Sequence, residues 1–269
     1  MLTGLLAALP TWLMVVIVCA VAVALTTVAQ AAIHSLWHVD SRHRLNDVAG
    51  FLIAVVGVVY AVLLASIAVL ALERHQRAEL AVDTEAGQFS DLFTTADGLA
   101  TATAERLHAL LSDYGDAVLY VEWPNMTRGL PPERGWPDKG WDLAGSLNDV
   151  LTRHEPTTEA EKIVLQLALR QLDDFTDARR TRIFTTGSGI TPLVWWVVIA
   201  GAAITVGLAL VFGLPSWRSH FLLANMLALS IALVFVLIIA MDRPFVGESG
   251  VSPESFQRVM ASIAGVDEP

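Results

Sequence analysis

The stretch SRHRLNDVAGFLIAVVGVVYAVLLAS, residues 41–66, changes abruptly from charged to apolar. Two arginines, a histidine, an asparagine and an aspartate lie within its first seven residues, and no charged residue occurs from Val48 to Leu72. That uncharged run is longer than the roughly 18 residues that mark a candidate membrane-spanning helix. The stretch therefore predicts a helix that begins at a polar boundary and crosses a bilayer.

Three other runs lack Asp, Glu, Lys and Arg: Met1–Val39, Ile183–Trp217 and Ser219–Met241. A buried helix of a soluble protein can imitate one such run, but hardly four. We therefore predict an all-α polytopic membrane protein with four transmembrane helices. The predicted spans are 11–33, 48–72, 192–214 and 220–241. The first run is interpreted as a retained helix, because its start contains no Lys or Arg and it is too long for a signal peptide.

These spans divide the chain into four parts: residues 1–72, 73–190, 191–241 and 242–269. The part at 73–190 is polar, with 20 acidic and 12 basic residues, and helical patterns dominate it. The second span is predicted to continue into this region until Asp97-Gly98 ends it. A helix from Thr101 to Val121 is predicted to end at Trp123-Pro124, and a longer one to begin at Thr157 with a hydroxyl cap.

Positive charge predicts the orientation. Six arginines lie near span ends on the side of the termini and the polar region, namely Arg74, Arg77, Arg179, Arg180, Arg182 and Arg243, against three on the other side. The positive-inside bias therefore places the termini and the polar region in the cytoplasm. Arg179, Arg180 and Arg182 are interpreted as a topology anchor that contacts anionic lipid heads. A site for a phosphorylated ligand is the alternative.

The second span has two different faces. Small residues at Gly50, Ala54, Gly57 and Ala61 recur at steps of three and four, and predict close helix packing. The larger apolar residues Val55, Val56, Val59 and Leu63 lie on the other face. By default this second face contacts lipid. In an oligomer with the helix near the axis, the same four residues would form an apolar pore constriction.

Polar residues at and within this span have two interpretations each. Asn46 and Asp47 precede the span, where they could cap the helix or form a ring at the outer mouth of a pore. Tyr60 lies mid-span and needs a partner for its hydroxyl. Asn225 is a candidate partner, although helix packing explains Asn225 equally well.

The predicted outer loop contains His34, His38 and His43, with Asp40 and Asp47 nearby. A solvated loop explains them, and metal binding or proton sensing are the alternatives. Spacing fixes no third ligand, so no metal site and no cofactor is predicted. Cys19 is the only cysteine, which excludes an intrachain disulfide.

Taken together, several of these residues resemble a bacterial bestrophin-like family of membrane proteins of unknown function. The residues that carry the resemblance are His43, Asn46, Asp47, Gly50, Gly57, Tyr60–Leu64, Glu85, Tyr114, Glu122, Trp123, Arg179–Arg182, Asp242, Pro244, Phe245 and Gly247. They occur in the family's order over nearly the whole chain. The resemblance implies four spans, cytoplasmic helices and a homo-oligomer, such as a pentamer, around an axial pore that conducts anions. It also implies that the second span lines the pore, in a bacterial inner membrane.

Three functions are compatible with these features. The first is a homo-oligomeric channel that conducts inorganic ions passively. The second is a non-conducting membrane adaptor that binds a partner through the Trp123–Trp141 loop. The third is a proton- or metal-coupled transporter using His34, His38 and Asp47, although coupling sites usually contain a charge inside a span. No phosphate loop, nucleophile elbow or metal cage predicts an enzyme. The acidic polar region argues against nucleic acid as a partner.

Overall fold

The computed structural model describes residues 9–36, 46–130, 139–187, 189–214 and 216–265. Within these ranges the chain consists of helices joined by turns and short connecting segments. In chain order the α-helices are α1 (Thr11–Leu36), α2 (Asn46–Ala96), α3 (Thr101–Ala117), α4 (Trp123–Thr127), α5 (Lys139–Thr152), α6 (Glu159–Gly187), α7 (Pro192–Val211), α8 (Trp217–Asp242) and α9 (Glu254–Ile263). One π-helical turn, Val118–Glu122, joins α3 to α4.

Four of these helices, α1, α2, α7 and α8, are long and apolar enough to cross a bilayer. The predicted number of candidate spans is therefore confirmed. A helix suits this role because all its backbone groups bond within the segment, where lipid offers no partners. Pro192 lies in the first turn of α7, where its missing N–H costs nothing.

The chain divides into two compact units. The apolar unit comprises Met1–Glu73 and Gly189–Asp242. In it, α8 packs closely against α1 and buries Ala224, Ala228 and Ala232, which recur at every fourth residue. Small residues at this spacing let two helix backbones approach each other. The apolar unit thus buries a row of small residues on α8.

The end of α8 is fixed to the start of α7 inside the same unit. The Asp242 carboxylate is buried and accepts a hydrogen bond of 2.5 Å from the Ile190 backbone N–H. Ile190 immediately precedes Thr191, the N-cap residue of α7. Asp242 thus supplies the acceptor that this backbone N–H needs next to the helix start.

The polar unit comprises Arg74–Ser188 and Arg243–Pro269. Its apolar core is formed by the polar half of α2 together with α3, α5 and α6, and includes Phe89, Leu111, Leu147 and Phe175. The C-terminal helix α9 completes this core, because Phe256 is fully buried in it. Gly115 on α3 leaves the space that the Met260 side chain of α9 occupies.

Three predicted helix boundaries have counterparts in the structure. The end of α2 at Ala96 agrees with the predicted stop at Asp97-Gly98. The start of α6 differs slightly from the prediction, because the helix begins at Glu159 and the Thr158 hydroxyl, rather than that of Thr157, accepts the Glu161 backbone N–H at 3.1 Å. The predicted stop at Trp123-Pro124 is wrong. The chain passes through the π-helical turn and continues as α4, with Pro124 in the first turn. Proline is tolerated there because it removes an N–H that has no helical partner.

Candidate functional site

The apolar part of α2 buries one side and leaves the other exposed. Tyr60, Leu64, Ile67 and Ala71 form the buried side and pack in the apolar unit. Val58, Val59 and Val62 are 65%, 66% and 63% exposed in the single chain. The exposed side is available to lipid or to another copy of the chain.

The four residues predicted to form a constriction are placed differently from one another. Val55 and Val59 are exposed, whereas Val56 and Leu63 are half-buried. Leu63 packs against the apolar cluster that contains Tyr60. At about 100° per residue, Val56 and Leu63 lie only about 40° and 60° from the buried side. The constriction stays a prediction, with Val55 and Val59 as its exposed members.

The predicted small stripe of α2 has few neighbours within the chain. Ala54 and Ala61 are exposed, and a Cβ atom built on Gly57 would meet no atom within 4 Å. A Cβ on Gly50 would lie 3.8 Å from the Phe212 ring. Three of the four small residues are therefore open to contact from outside the chain, and their packing role stays a prediction.

Asn46 is held by the segment between α7 and α8. Its amide nitrogen donates to the Gly213 carbonyl at 3.2 Å, and its amide oxygen accepts the Gly213 N–H at 2.8 Å. A carboxamide carries both a donor and an acceptor, so it can satisfy both backbone groups of one residue. Asp47 is exposed beside it. The outer-mouth role of both residues stays a prediction.

The Tyr60 hydroxyl donates a hydrogen bond of 2.9 Å to the Val198 carbonyl of α7. Asn225, the predicted candidate partner, instead donates to the Phe221 carbonyl one turn earlier in α8, at 2.9 Å. The ring of Tyr60 lies against Gly201, where a Cβ atom would come within 2.5 Å of Cδ2 and Cε2. Glycine at this position lets the tyrosine reach a backbone carbonyl on α7.

Of the outer-loop histidines, His38 and His43 lie outside the described residues, as does Asp40. The ring of His34 contacts Trp217 edge-on, with centroids 5.1 Å apart. No group of three or more His, Cys, Asp or Glu side chains within the described ranges is arranged to hold a metal ion. The metal and proton-sensing alternatives thus gain no support from His34.

The polar unit contains five buried polar side chains that bond to one another, here called the charge cluster: Glu85, Tyr114, Glu122, Arg179 and Arg182. Arg182 donates to Glu85 through Nε at 2.6 Å and Nη2 at 3.0 Å, and to Glu122 at 2.7 Å. Arg179 donates twice to Glu122, at 2.6 and 3.1 Å. Two carboxylates and two guanidinium groups thus balance each other away from water.

Tyr114 completes the charge cluster. Its hydroxyl donates to Glu85 and accepts from Arg179 Nη1 at 2.9 Å. Burial raises the pKa of Tyr114 well above its usual value, and the Glu85 charge raises it further. Burial alone would raise the pKa of Glu122, but Arg182 and Arg179 outweigh it and lower that pKa. The cluster therefore keeps a neutral phenol and an ionised carboxylate.

The charge cluster corrects the interpretation of the arginines. Arg182 is 0% exposed and Arg179 is 1% exposed, so neither contacts lipid heads. Only Arg180 lies at the surface, where it pairs with Asp177 at 2.5 Å. The topology-anchor prediction is wrong for Arg179 and Arg182. Both guanidinium groups are already paired with buried carboxylates, which argues against a site for a phosphorylated ligand.

Two neighbours enclose the charge cluster. The Arg179 guanidinium lies 4.9 Å from the Trp141 ring, and a Cβ atom on Gly140 would overlap Arg179 and Glu122.

The spacing of residues along α6 offered one signal that the two arginines are buried. Arg179 and Arg182 continue the face of α6 that begins with Ala168, Leu172 and Phe175, at steps of three and four.

Comparison with known proteins agrees with this architecture. The Bestrophin-like domain matches residues 18–256. No protein with a curated description matches the chain. A single-substitution variant of a bacterial bestrophin homologue from Klebsiella pneumoniae is similar in fold, with 10% identity, a TM-score of 0.67 and coverage of 93% of this chain and 99% of that one.

A second solved structure, described as a membrane protein, has 11% identity and a TM-score of 0.68, and covers 94% of this chain and 98% of that one. At such identities the likeness concerns the fold. The domain match, by contrast, extends over most of the sequence. This membrane protein therefore belongs to the Bestrophin-like domain family.

Proposed function

We propose that the chain is one subunit of a homo-oligomeric ion channel, in which the exposed apolar face of α2 lines the pore. Conduction is passive, and anions are the expected class of ion. The observation that carries this proposal is that face itself, with Val58, Val59 and Val62 each more than 60% exposed. Membership of the Bestrophin-like domain family supports a channel over other membrane functions.

In a ring of about five copies, the exposed face of each α2 would line the central axis, because closed rotational symmetry creates such an axis. Large apolar side chains around such an axis form a constriction that controls ion passage by excluding water. The small residues Ala54 and Ala61 lie beside this face and are exposed. They would allow α2 helices of neighbouring copies to pack closely.

The location follows from charge. We propose a bacterial inner membrane with the termini and residues 73–190 in the cytoplasm. With Arg179 and Arg182 buried, four arginines remain near span ends on that side: Arg74, Arg77, Arg180 and Arg243. The opposite side has three. The excess of arginines therefore remains on the proposed cytoplasmic side, as the positive-inside rule requires.

The adaptor hypothesis receives less support. Its proposed docking loop is flanked by Trp123 and Trp141, residues typical of binding surfaces when exposed. Trp123 is buried and contacts Phe245 edge-on at 5.8 Å, and Trp141 is half-buried beneath Arg179. Both rings already pack within the polar unit.

Two measurements on the purified protein test the proposal. The subunit number is measured in nanodiscs by native mass spectrometry, and ion flux is measured from liposomes under a salt gradient. We expect a ring and an ion leak that Val59→Trp blocks. The matched control is Val28→Trp on α1, because Val28 is 68% exposed and Val59 is 66% exposed.

A monomer or dimer without flux would contradict the channel. Equal inhibition by Val59→Trp and Val28→Trp would contradict the pore-lining role of α2, even if the protein conducts.

A further inference from the structure

Two polar contacts connect α2 to α7 and to the segment that follows it, all within the apolar unit. The Asn46 side chain bonds both backbone groups of Gly213 at the start of α2. The Tyr60 hydroxyl bonds the Val198 carbonyl at 2.9 Å. Tyr60 is 5% exposed and lies at the level of the predicted constriction, next to Val59. Its position distinguishes it from Asn46, which lies more than three turns away.

The Tyr60 contact restricts rotation as well as distance. Apolar contacts are non-directional, so a helix held by them alone can turn slightly at little cost. A hydrogen bond weakens steeply when its angle changes. The ring is also confined by Gly201, because a Cβ atom there would lie 2.5 Å from two ring carbons. Rotation of α2 would therefore break the bond or force the ring into α7.

The position of Tyr60 determines which residues lie opposite it. Val58 and Val62 are two residues from Tyr60 on either side, so they lie about 160° around the helix from it. Val55 lies about 140° away on the same count. All three are exposed in the single chain. Val56 and Leu63, which the sequence assigned to the constriction, are turned toward the protein instead.

We infer that Tyr60 is a positioning residue of the proposed pore. Its hydrogen bond to Val198 holds α2 at the rotation that directs the exposed arc of α2 to the axis. Val55, Val58 and Val62 lie at the centre of that arc, and Val59, about 100° from Tyr60, lies at its edge. This inference rests on the proposed channel function. Tyr60 itself does not contact the ion, and its effect is transmitted through the orientation of α2.

Cysteine accessibility measures this rotation directly. In a Cys19→Ser background, single cysteines at 58, 59 and 62 are treated with a charged, membrane-impermeant thiol reagent in nanodiscs, and modification rates are measured by mass spectrometry. We expect Val58→Cys and Val62→Cys to react faster than Val28→Cys. Val28 is the control because it is 68% exposed on α1 and would contact lipid.

The test variant is Tyr60→Phe, which removes only the hydroxyl. We expect the rate at position 58 to fall relative to position 59, and the ratio of open to closed channels to change about fivefold, which corresponds to about 1 kcal/mol. Ser230→Ala is the matched control, because the Ser230 hydroxyl bonds the Met226 carbonyl within α8 itself at 2.9 Å, so this bond does not involve α2. It should leave both readouts unchanged.

Gly201→Ala provides a second variant that keeps the hydroxyl and displaces the ring. If both variants retain the wild-type modification pattern and open–closed ratio, the role of Tyr60 is overturned while the channel stands, even if thermal stability falls. If wild-type positions 58 and 62 react as slowly as position 28 and no flux occurs, the channel proposal fails, and the positioning role fails with it.

Discussion

The Arg182 guanidinium binds the Glu85 carboxylate through two atoms, Nε to Oε2 at 2.6 Å and Nη2 to Oε1 at 3.0 Å. Both side chains are 0% exposed, and the two residues lie 97 positions apart in the chain. This two-point geometry matches the planar fork of a guanidinium to a carboxylate. It joins α2 to α6 within the polar unit.

Removal of one charge from this pair should destabilise the polar unit. Glu85→Gln leaves Arg182 with a single carboxylate partner in a buried site, and breaking a buried pair costs about 3–5 kcal/mol. We expect a clear fall in the thermal unfolding midpoint in detergent. Asp177→Asn is the control, because its pair with Arg180 is exposed and contributes at most about 1 kcal/mol. Equal midpoints for the two variants would contradict the structural role of the cluster.

Two glycines of α5 should respond to alanine in opposite directions. In Gly140→Ala the new Cβ overlaps Arg179 and Glu122, so the variant should lose roughly 1–3 kcal/mol through overpacking. Gly145 has no atom within 4 Å of a built Cβ, so Gly145→Ala should gain up to about 1 kcal/mol from helix propensity. The thermal unfolding midpoints of the two variants, measured under the same conditions, test this prediction. Stabilisation by both substitutions would show that Gly140 is not enclosed as described.

Glu161 should make stability depend on pH at the acidic end. The Thr157 backbone N–H and hydroxyl, followed by His154 and the Ala100 N–H, lower its pKa from 4.5 to about 2. A carboxylate with a lowered folded-state pKa contributes stability that is fully present above 4.5 and is lost as the pH falls toward about 2.

The test compares the unfolding midpoint of wild type and Glu161→Gln across this pH window. The variant should be less stable at neutral pH and should lose less stability on acidification. Glu159→Gln is the control, since the Glu159 side chain is 85% exposed. An unchanged pH profile for Glu161→Gln would contradict the assignment.

Asp47 tests the outer mouth. If it lies at the pore entrance, Asp47→Asn removes a negative charge that repels anions and attracts cations. We therefore expect the anion-to-cation permeability ratio to rise, and more so at low salt, where screening is weaker. Asp113→Asn, an exposed substitution in the polar unit, should not change the ratio. If Asp47→Asn leaves the permeability ratio unchanged at low salt, the proposed position of Asp47 at the pore entrance is contradicted.

The sequence predicted the features that depend on a single segment of the chain. Runs without charge predicted α1, α2, α7 and α8, and Asp97-Gly98 predicted the end of α2. The charge cluster was not predicted, because its bonds join residues that lie far apart in the chain. Arginines beside a span are usually topology signals, and only the apolar face that continues from Phe175 to Arg179 suggested burial.

Other differences have local causes. The Tyr60 hydroxyl found a backbone carbonyl instead of Asn225, because Gly201 allows the ring to reach α7. The periodicity of the sequence does not show that Gly201 or the Val198 carbonyl would contact Tyr60. Val56 and Leu63 could be separated from the exposed side of α2 only once the buried side of this helix was known.

The π-helical turn Val118–Glu122 contains one residue more than an α-helical turn would, and Tyr120 within it is 75% exposed. Deletion of Tyr120 would remove no buried side chain from the core. It would nevertheless change the rotation of the residues that follow by about 100° around the helix axis. The Glu122 carboxylate would then swing away from both arginines. The number of residues between Ala117 and Trp123 therefore determines whether Glu122 can bond both arginines.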